Sequence, residues 1–198
     1  MDFPTLSAFA VFVCIMTGTP GPGNLTFLAI GSSRGFKAAF PIIIAAQIGN
    51  VPVNVLIALG LGAIMSAGGP LQTVFTYASL AYMIYLAWRI VLMTIKENGD
   101  VRPPSFWEGL WIHPLSPKTW AMGVSAYGLF LTDTNMDISQ KLLFLVVGFM
   151  LGGLVFHSLW AFVGESMLRV LGNGRTMRIV TIVMAVLMVA VSVWSLMS

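Results

Sequence analysis

Six stretches of this chain are long and apolar enough to cross a lipid bilayer, and no other feature of the sequence restricts its fold as much. A helix crosses the hydrocarbon core with about 20 apolar residues. Stretches of that kind run roughly over residues 5–31, 38–65, 71–93, 106–131, 141–164 and 177–197. In hydrocarbon the backbone must satisfy its own hydrogen bonds, so segments of this length are expected to be helical. The connections between them are short and leave no room for a separate water-soluble domain. The expected fold is an all-α integral membrane protein, one transmembrane domain over residues 1–198 built as a six-helix bundle.

Composition excludes the main alternatives. Charged residues make up 9% of the chain, against about 25% in an ordinary soluble domain. With 10 Lys and Arg and 7 Asp and Glu, 198 residues cannot form a wet surface, which excludes a soluble enzyme. Nucleic acid is excluded as a partner because the basic residues sit in short loops and form no stripe. The apolar excess, 58% of residues at a mean hydropathy of +0.91, excludes disorder. No cofactor or metal is expected. The single cysteine, Cys14, forms no internal disulfide or Cys-rich metal site, and its apolar context reads as a small buried residue. Paired acids and the H-E-x-x-H pattern of intramembrane proteases do not occur. His157 and Ser158 are neighbours, which on a helix do not face each other. Only Asp2 precedes the first apolar stretch, with no basic region and no clear cleavage site, so that stretch reads as a permanent span.

Basic residues near helix ends predict orientation, because cytoplasmic loops are rich in Lys and Arg. Arg34 and Lys37 follow the first stretch; Lys96 and Arg102 follow the third, with Arg89 at its edge; Arg169, Arg175 and Arg178 follow the fifth. The opposite side has Lys141 with the acidic Asp2, Asp133 and Asp137. The three basic loops are therefore expected in the cytoplasm and both termini outside. Tyr82, Tyr85, Trp88, Trp107 and Trp111 lie near segment ends, where amphipathic rings anchor at the headgroups.

Two of the six stretches must break. The first contains Thr17-Gly18-Thr19-Pro20-Gly21-Pro22-Gly23-Asn24, and the fourth contains His113-Pro114-Leu115-Ser116-Pro117-Lys118-Thr119. Proline removes a backbone donor and clashes with the preceding turn. Broken backbone inside a membrane is tolerated only where protein or a water-filled cavity satisfies it. Lys118 falls near mid-depth of the fourth stretch, where a cation costs at least about 2.5–3.5 kcal/mol, so it is expected to face a cavity or a partner. The two broken stretches each open a group of three. Gly49 and Gly60 in the second stretch parallel Gly153 and Gly164 in the fifth. Three-span units repeat with opposite orientation, and inverted repeats with paired broken helices are a pattern of secondary transporters. The substrate is then expected between the breaks, where half-helix N-termini suit a carboxylate.

At these residues the chain resembles a known family. Thr19-Pro20-Gly21-Pro22-Gly23-Asn24 is similar to the T-P-G-P-x-N motif of the LysE/RhtB family of amino-acid exporters, and Ser116-Pro117-Lys118 is similar to its N-P-K motif. The resemblance continues through Ser33-Arg34-Gly35-Phe36, Gly49-Asn50, Tyr82 to Trp88 and the basic loop before the last span, covering nearly the whole chain. One departure is Ser116, where the family usually has Asn. A hydroxyl lacks the amide's paired donor and acceptor. The resemblance implies export of amino acids or derivatives across a bacterial-type inner membrane, driven by inward proton movement. One proton descending about 100 mV supplies about 2.3 kcal/mol, enough for roughly a 50-fold gradient.

Within that frame Pro20, Gly21, Pro22, Gly23, Asn24, Gln47, Asn50, Ser116, Pro117 and Lys118 are the candidate substrate-binding residues, and Lys118 and His157 the candidate coupling residues. Each also has a structural reading. Pro20 and Pro22 shape the break, and Gly21 and Gly23 let backbone approach. Asn24 suits either freed backbone or a substrate amine. Lys118 suits a substrate carboxylate or the carbonyls of a helix end. Gln47, Asn50 and Asn54 share one helical face, which suits either a cavity or interhelical hydrogen bonds. His157 titrates near neutrality unless packed. Gly148-x-x-x-Gly152 and Ala45-x-x-x-Gly49 allow close helix approach, within the bundle or between copies in a homo-oligomer. The competing readings are a transporter of another solute or ion on the same fold, and a non-transporting membrane subunit. The clustered acids or histidines of a metal-ion permease are missing, and a pure scaffold has no need of Lys118.

Overall fold

The structure, a computed structural model, describes residues 2–62, 69–95, 102–132, 134–172 and 174–197. Lys96 and Asp133, used above for orientation, lie outside the described residues, as do positions 63–65 of the second stretch. The described residues are helical with short connections: α1 (Phe3–Gly18), α2 (Pro22–Arg34), α3 (Phe36–Ala58), α4 (Pro70–Ile95), α5 (Phe106–Leu110), α6 (Pro117–Phe130), α7 (Ile138–Leu171) and α8 (Arg175–Met197).

Local chemistry explains the ends. Asp2 caps α1, accepting from the Thr5 amide at 3.1 Å. Ser105 with Glu108 and Asp137 with Gln140 form capping boxes at the starts of α5 and α7, each satisfying two orphan backbone donors. Gly35, at φ 80°, turns the chain from α2 into α3, in a region L side chains avoid.

Among the described residues four helices, α3, α4, α7 and α8, are long and apolar enough to cross a membrane. The α1–α2 pair, bent by 55° at its break, makes a fifth candidate. The fourth expected stretch differs: a turn over 111–115 divides it into the five-residue α5 and the 14-residue α6. Neither half reaches the length of a span. The fifth stretch is longer than expected, because α7 runs 34 residues between its capping box and Gly172. That is about 50 Å of helix, well beyond a hydrocarbon core of about 30 Å.

The bundle is organised around α2, of whose 13 residues ten are buried. It lies along α7 and also meets α3, α4 and α8. Small residues allow the closest approach: a Cβ added at Gly31 would strike the Ala161 backbone, and one at Gly164 the Leu28 carbonyl. The xxx-spaced small residues also pack inside the chain. Gly148 and Gly152 face Phe9, Val13 and Thr17 of α1, and Gly49 faces the Leu110 carbonyl. The parallel between Gly60 and Gly164 does not extend to their roles. Gly60 has φ 92° just past the end of α3, whereas Gly164 is a mid-helix contact. Cys14 is exposed rather than buried; the buried residues of α1 are Phe9, Val13 and Thr17.

Two apolar clusters make the core. One gathers Leu25, Phe27, Ile30, Ile42, Ile43, Met83, Leu86, Ile112, Ala161 and Met188. The other gathers Phe9, Val13, Val53, Ile57, Ala126, Leu145 and Phe149. Four of the chain paths from one cluster to the other pass polar or glycine positions: Thr17 to Asn24, Gln47 to Asn50, His113 to Thr119, and Gly153 with His157; the path from Ala58 to Met83 is only partly within the described residues. A polar layer thus lies between two apolar halves.

Candidate functional site

That polar layer encloses a cavity. It is lined by Met16 and Thr17 of α1, Gly21 to Asn24 at the start of α2, His113, Ser116, Lys118, Thr119 and Met122 around the start of α6, and His157 of α7. Both helix breaks therefore open on the same space. Its volume is about 20 Å³, room for roughly one water and too little for an amino acid.

The first break is closed by side chains. With α1 ending at Gly18, its last carbonyls have no helical partner. Asn24 Nδ2 donates to the carbonyls of Thr17 at 2.7 Å and Thr19 at 2.8 Å. Trp160 Nε1 donates to the Gly18 carbonyl at 3.1 Å. Lys118 Nζ donates to the Thr19 carbonyl at 2.8 Å, Thr19 Oγ1 at 2.9 Å and the Pro20 carbonyl at 3.4 Å. Of the two partners expected for Lys118, this conformation has the helix-end carbonyls, where the α1 dipole favours a cation. Gly21 makes room for this reach, since a Cβ there would lie 2.7 Å from Lys118 Cδ.

The second break uses its own neighbours. The amides of Ile112 and Ser116 donate three residues back, to Gly109 and His113. Trp120 Nε1 donates to the Pro114 carbonyl at 2.9 Å. Ser116 occupies the N-cap position of α6, yet its hydroxyl makes no capping bond. The start of α2 also lacks a side-chain cap. Two helix N-termini, each with proline in the first turn and neither capped by a side chain, thus border one cavity.

Three ionisable groups line it: Lys118, His113 and His157. The two imidazoles stack with centroids 5.1 Å apart. His157 Nδ1 lies 2.9 Å from Gln47 Nε2, and His113 Nδ1 lies 3.1 Å from Thr119 Oγ1. Among the described residues four polar atoms of the layer are buried without a hydrogen-bond partner: Asn24 Oδ1, Gln47 Oε1, Asn50 Oδ1 and His113 Nε2. Buried polar groups are normally paired, so such a cluster marks a place prepared for a polar guest. Among the described residues no group of His, Cys, Asp or Glu is arranged to hold a metal ion.

Most of the candidates named from sequence meet here. Gly21, Pro22, Gly23, Asn24, Ser116, Lys118 and His157 line the cavity, Pro20 contributes a carbonyl to Lys118, and Gln47 reaches it through His157. Pro117 starts α6 beside it. Asn50 does not line it; its carbonyl accepts from Asn54 Nδ2 at 3.0 Å. His113 was missed as a site residue. Its position directly before the first proline of the second break was the available signal.

Away from the cavity, Tyr82 and Tyr85 hydroxyls donate to the Glu108 carbonyl and carboxylate. Arg89 forms an ion pair with Glu108 at 2.8 Å. These bonds tie α4 to α5, while Trp88, Trp107 and Trp111 are exposed as anchoring rings would be.

A family model described as LysE type translocator matches residues 14–198. The chain belongs to this family. It is a transporter, not an enzyme, and a multi-pass inner-membrane protein. This translocator is also similar to the cysteine/O-acetylserine efflux protein of Escherichia coli (strain K12), at 30% identity over 182 residues, covering 89% of this chain and 92% of the relative. The protein of the same name from Shigella flexneri serotype 5b (strain 8401) is 29% identical over 179 residues, covering 88% and 90%. No solved structure matches the chain.

Proposed function

We propose that this translocator exports a small neutral amino acid, or a close derivative, through the cavity between the two helix breaks. The observation that carries the reading is the meeting of both uncapped helix N-termini with Lys118 and an unpartnered Asn24 carbonyl at one cavity. A zwitterion needs both kinds of group. The N-termini and Lys118 offer positive charge to its carboxylate, and Asn24 Oδ1 and the α1 carbonyls offer acceptors to its ammonium. Among the described residues no carboxylate lines the cavity, which disfavours a second positive charge on the substrate. Export of cysteine and O-acetylserine by the named relatives agrees with that size and charge.

In the full reading the chain is one domain of six spans, with α1–α2 and α5–α6 as the broken first and fourth. Both termini lie outside and the two halves form an inverted repeat. The similar proline-started N-termini of α2 and α6 support the repeat. The cavity is too small for an amino acid, so loading requires the elements around the breaks to part, and alternating access follows. Inward proton movement supplies the drive, with Lys118 and His157 as the coupling groups. Self-association and lipid contact are consistent with the apolar outer faces of α7 and α8.

Efflux tests the reading. Cells loaded with dipeptides and expressing the chain should release small neutral amino acids faster than control cells. Lys118→Met at equal membrane levels should abolish the difference. Equal release with and without the chain across the panel would overturn the proposal.

A further inference from the structure

The exporter reading leaves unexplained why two histidines, the only two in the chain, are stacked on each other inside the polar layer. His113 is 6% exposed and His157 5% exposed. They come from different elements, His113 from the turn before α6 and His157 from the middle of α7. Neither is placed by the other's helix, so their meeting is a product of the tertiary fold. Two imidazolium rings 5.1 Å apart would repel, so the pair has room for one extra proton and not two.

The hydrogen bonds specify where that proton goes. Gln47 Nε2 faces His157 Nδ1 at 2.9 Å, and an amide NH₂ only donates. In this arrangement His157 Nδ1 accepts, and the neutral ring carries its hydrogen on Nε2. A protonated His157 has N–H on both sides and needs an acceptor at Nδ1 instead. The other end of the same amide, Gln47 Oε1, is buried with no partner. A half-turn of the amide about its last torsion replaces the donor by the acceptor. Gly153 provides the space, because the Gln47 amide lies against it where any Cβ would collide. His113 lines the cavity, and its Nε2 is buried without a partner. That makes it the nitrogen that meets water when the cavity opens.

Resting on the exporter reading of this cavity, we propose that His113 and His157 together form the proton-binding site of the transport cycle, with Gln47 as its two-position switch. When the cavity faces outward, His113 Nε2 takes a proton from water and the charge is shared with His157. The Gln47 amide turns to present Oε1 and holds the charged state. When the cavity faces inward, the proton leaves to water and the amide turns back. One proton enters and one leaves per cycle, with no other reactant. Among the described residues lining the cavity, the remaining ionisable group is Lys118. The elements packed around it, α1, α2 and α3, present Thr17, Asn24 and Gln47, which do not titrate. Lys118 is held by Thr19 and Pro20, and the histidine pair takes over the coupling role that the exporter reading divided between Lys118 and His157.

The test uses the full chain, without a histidine tag, in vesicles. Two quantities are read for each variant: exchange of labelled for unlabelled amino acid at equal pH, and accumulation driven by an acid interior. A gradient of about one pH unit sustains up to about tenfold accumulation for one proton per substrate. The intact chain should approach that figure. His113→Gln and His157→Gln should fall to about onefold, whatever their own exchange rate. Gln47→Glu, which offers an acceptor only, should move the pH dependence of exchange to higher pH, because it favours the charged ring. Accumulation in either histidine variant at the intact chain's level would overturn the proposal. Where a variant fails to exchange, histidine NMR of the intact chain decides, since its two ring systems account for all histidine signals. The expected result is uptake of one proton shared by both rings, altered by substrate. Two rings that stay neutral from pH 5 to 9 in the presence and absence of substrate would overturn it. Absence of efflux by the intact chain would instead remove the exporter reading, while the NMR result still stands or falls separately.

Discussion

The two helix breaks begin from the same problem, two prolines inside an apolar stretch, and solve it differently. In the first, three glycines stand among the prolines, the interruption is three residues long, and Trp160 and Lys118 from distant helices join Asn24 of α2 in supplying the missing donors. Asn24, Trp160 and Lys118 bond the carbonyls from Thr17 to Pro20. In the second there is no glycine between His113 and Lys118, and a five-residue turn stitches itself with local bonds and Trp120. The first break is held from outside and the second holds itself. A break held by groups on other helices must respond when those helices move, which suits a gate. A self-contained break can move as a unit.

If that difference is right, the two breaks should differ in sensitivity. The largest effect is expected at Asn24→Leu, which leaves the buried Thr17 carbonyl without its donor. An orphaned buried group costs about 1–3 kcal/mol. The variant should lose about that much in denaturant-induced unfolding in detergent, and should transport poorly even where it folds. An unchanged midpoint would mean that the first break does not depend on this side chain. Trp120→Phe removes one bond of the second break while keeping its ring packing, and about 1 kcal/mol is expected by the same measurement. Gly21→Ala should leave stability nearly unchanged, because the clash is with a flexible lysine. Substrate affinity should weaken about tenfold as Lys118 is displaced, read as the concentration giving half-maximal exchange. The smallest effect is expected at Ser116→Ala, within about 0.5 kcal/mol of the parent, since that hydroxyl caps nothing. Ser116→Asn sharpens the comparison. An amide at this N-cap should gain up to about 1 kcal/mol and change the order of preference among exported amino acids.

The same contrast explains what could be read from the sequence. Both breaks were legible, because proline inside a long apolar run has few other outcomes in a membrane. Lys118 was legible as a buried cation, but which of its partners it would take was not, since the Thr19 carbonyl lies 99 residues away in the chain. Gln47 and His157 could be named one at a time. Their contact, 110 residues apart in sequence, depends on how α3 packs on α7. His113 was overlooked because a histidine beside a proline looks like part of a turn. Its importance comes from His157, on another helix. The split of the fourth stretch was expected as a break but not as a turn of five residues, because hydropathy averages over the polar interruption. Cys14 was misjudged for a related reason. In a membrane protein an apolar neighbourhood in sequence does not decide between the core and the lipid-facing surface.

Orientation is open to a direct check. A reporter fused after Ser198 should behave as periplasmic, and a cytoplasmic result would contradict either the six spans or the direction of insertion.

The central claim is that the substrate passes through the space where the two breaks meet. Protection at Ser116 tests it most directly. In a Cys14→Ser background, which removes the one native thiol, Ser116→Cys should react with a small membrane-permeant thiol reagent as the cavity opens during turnover. An exported amino acid should slow that reaction with a concentration dependence equal to that of transport. Labelling that proceeds at the same rate with saturating exported substrate would contradict the account.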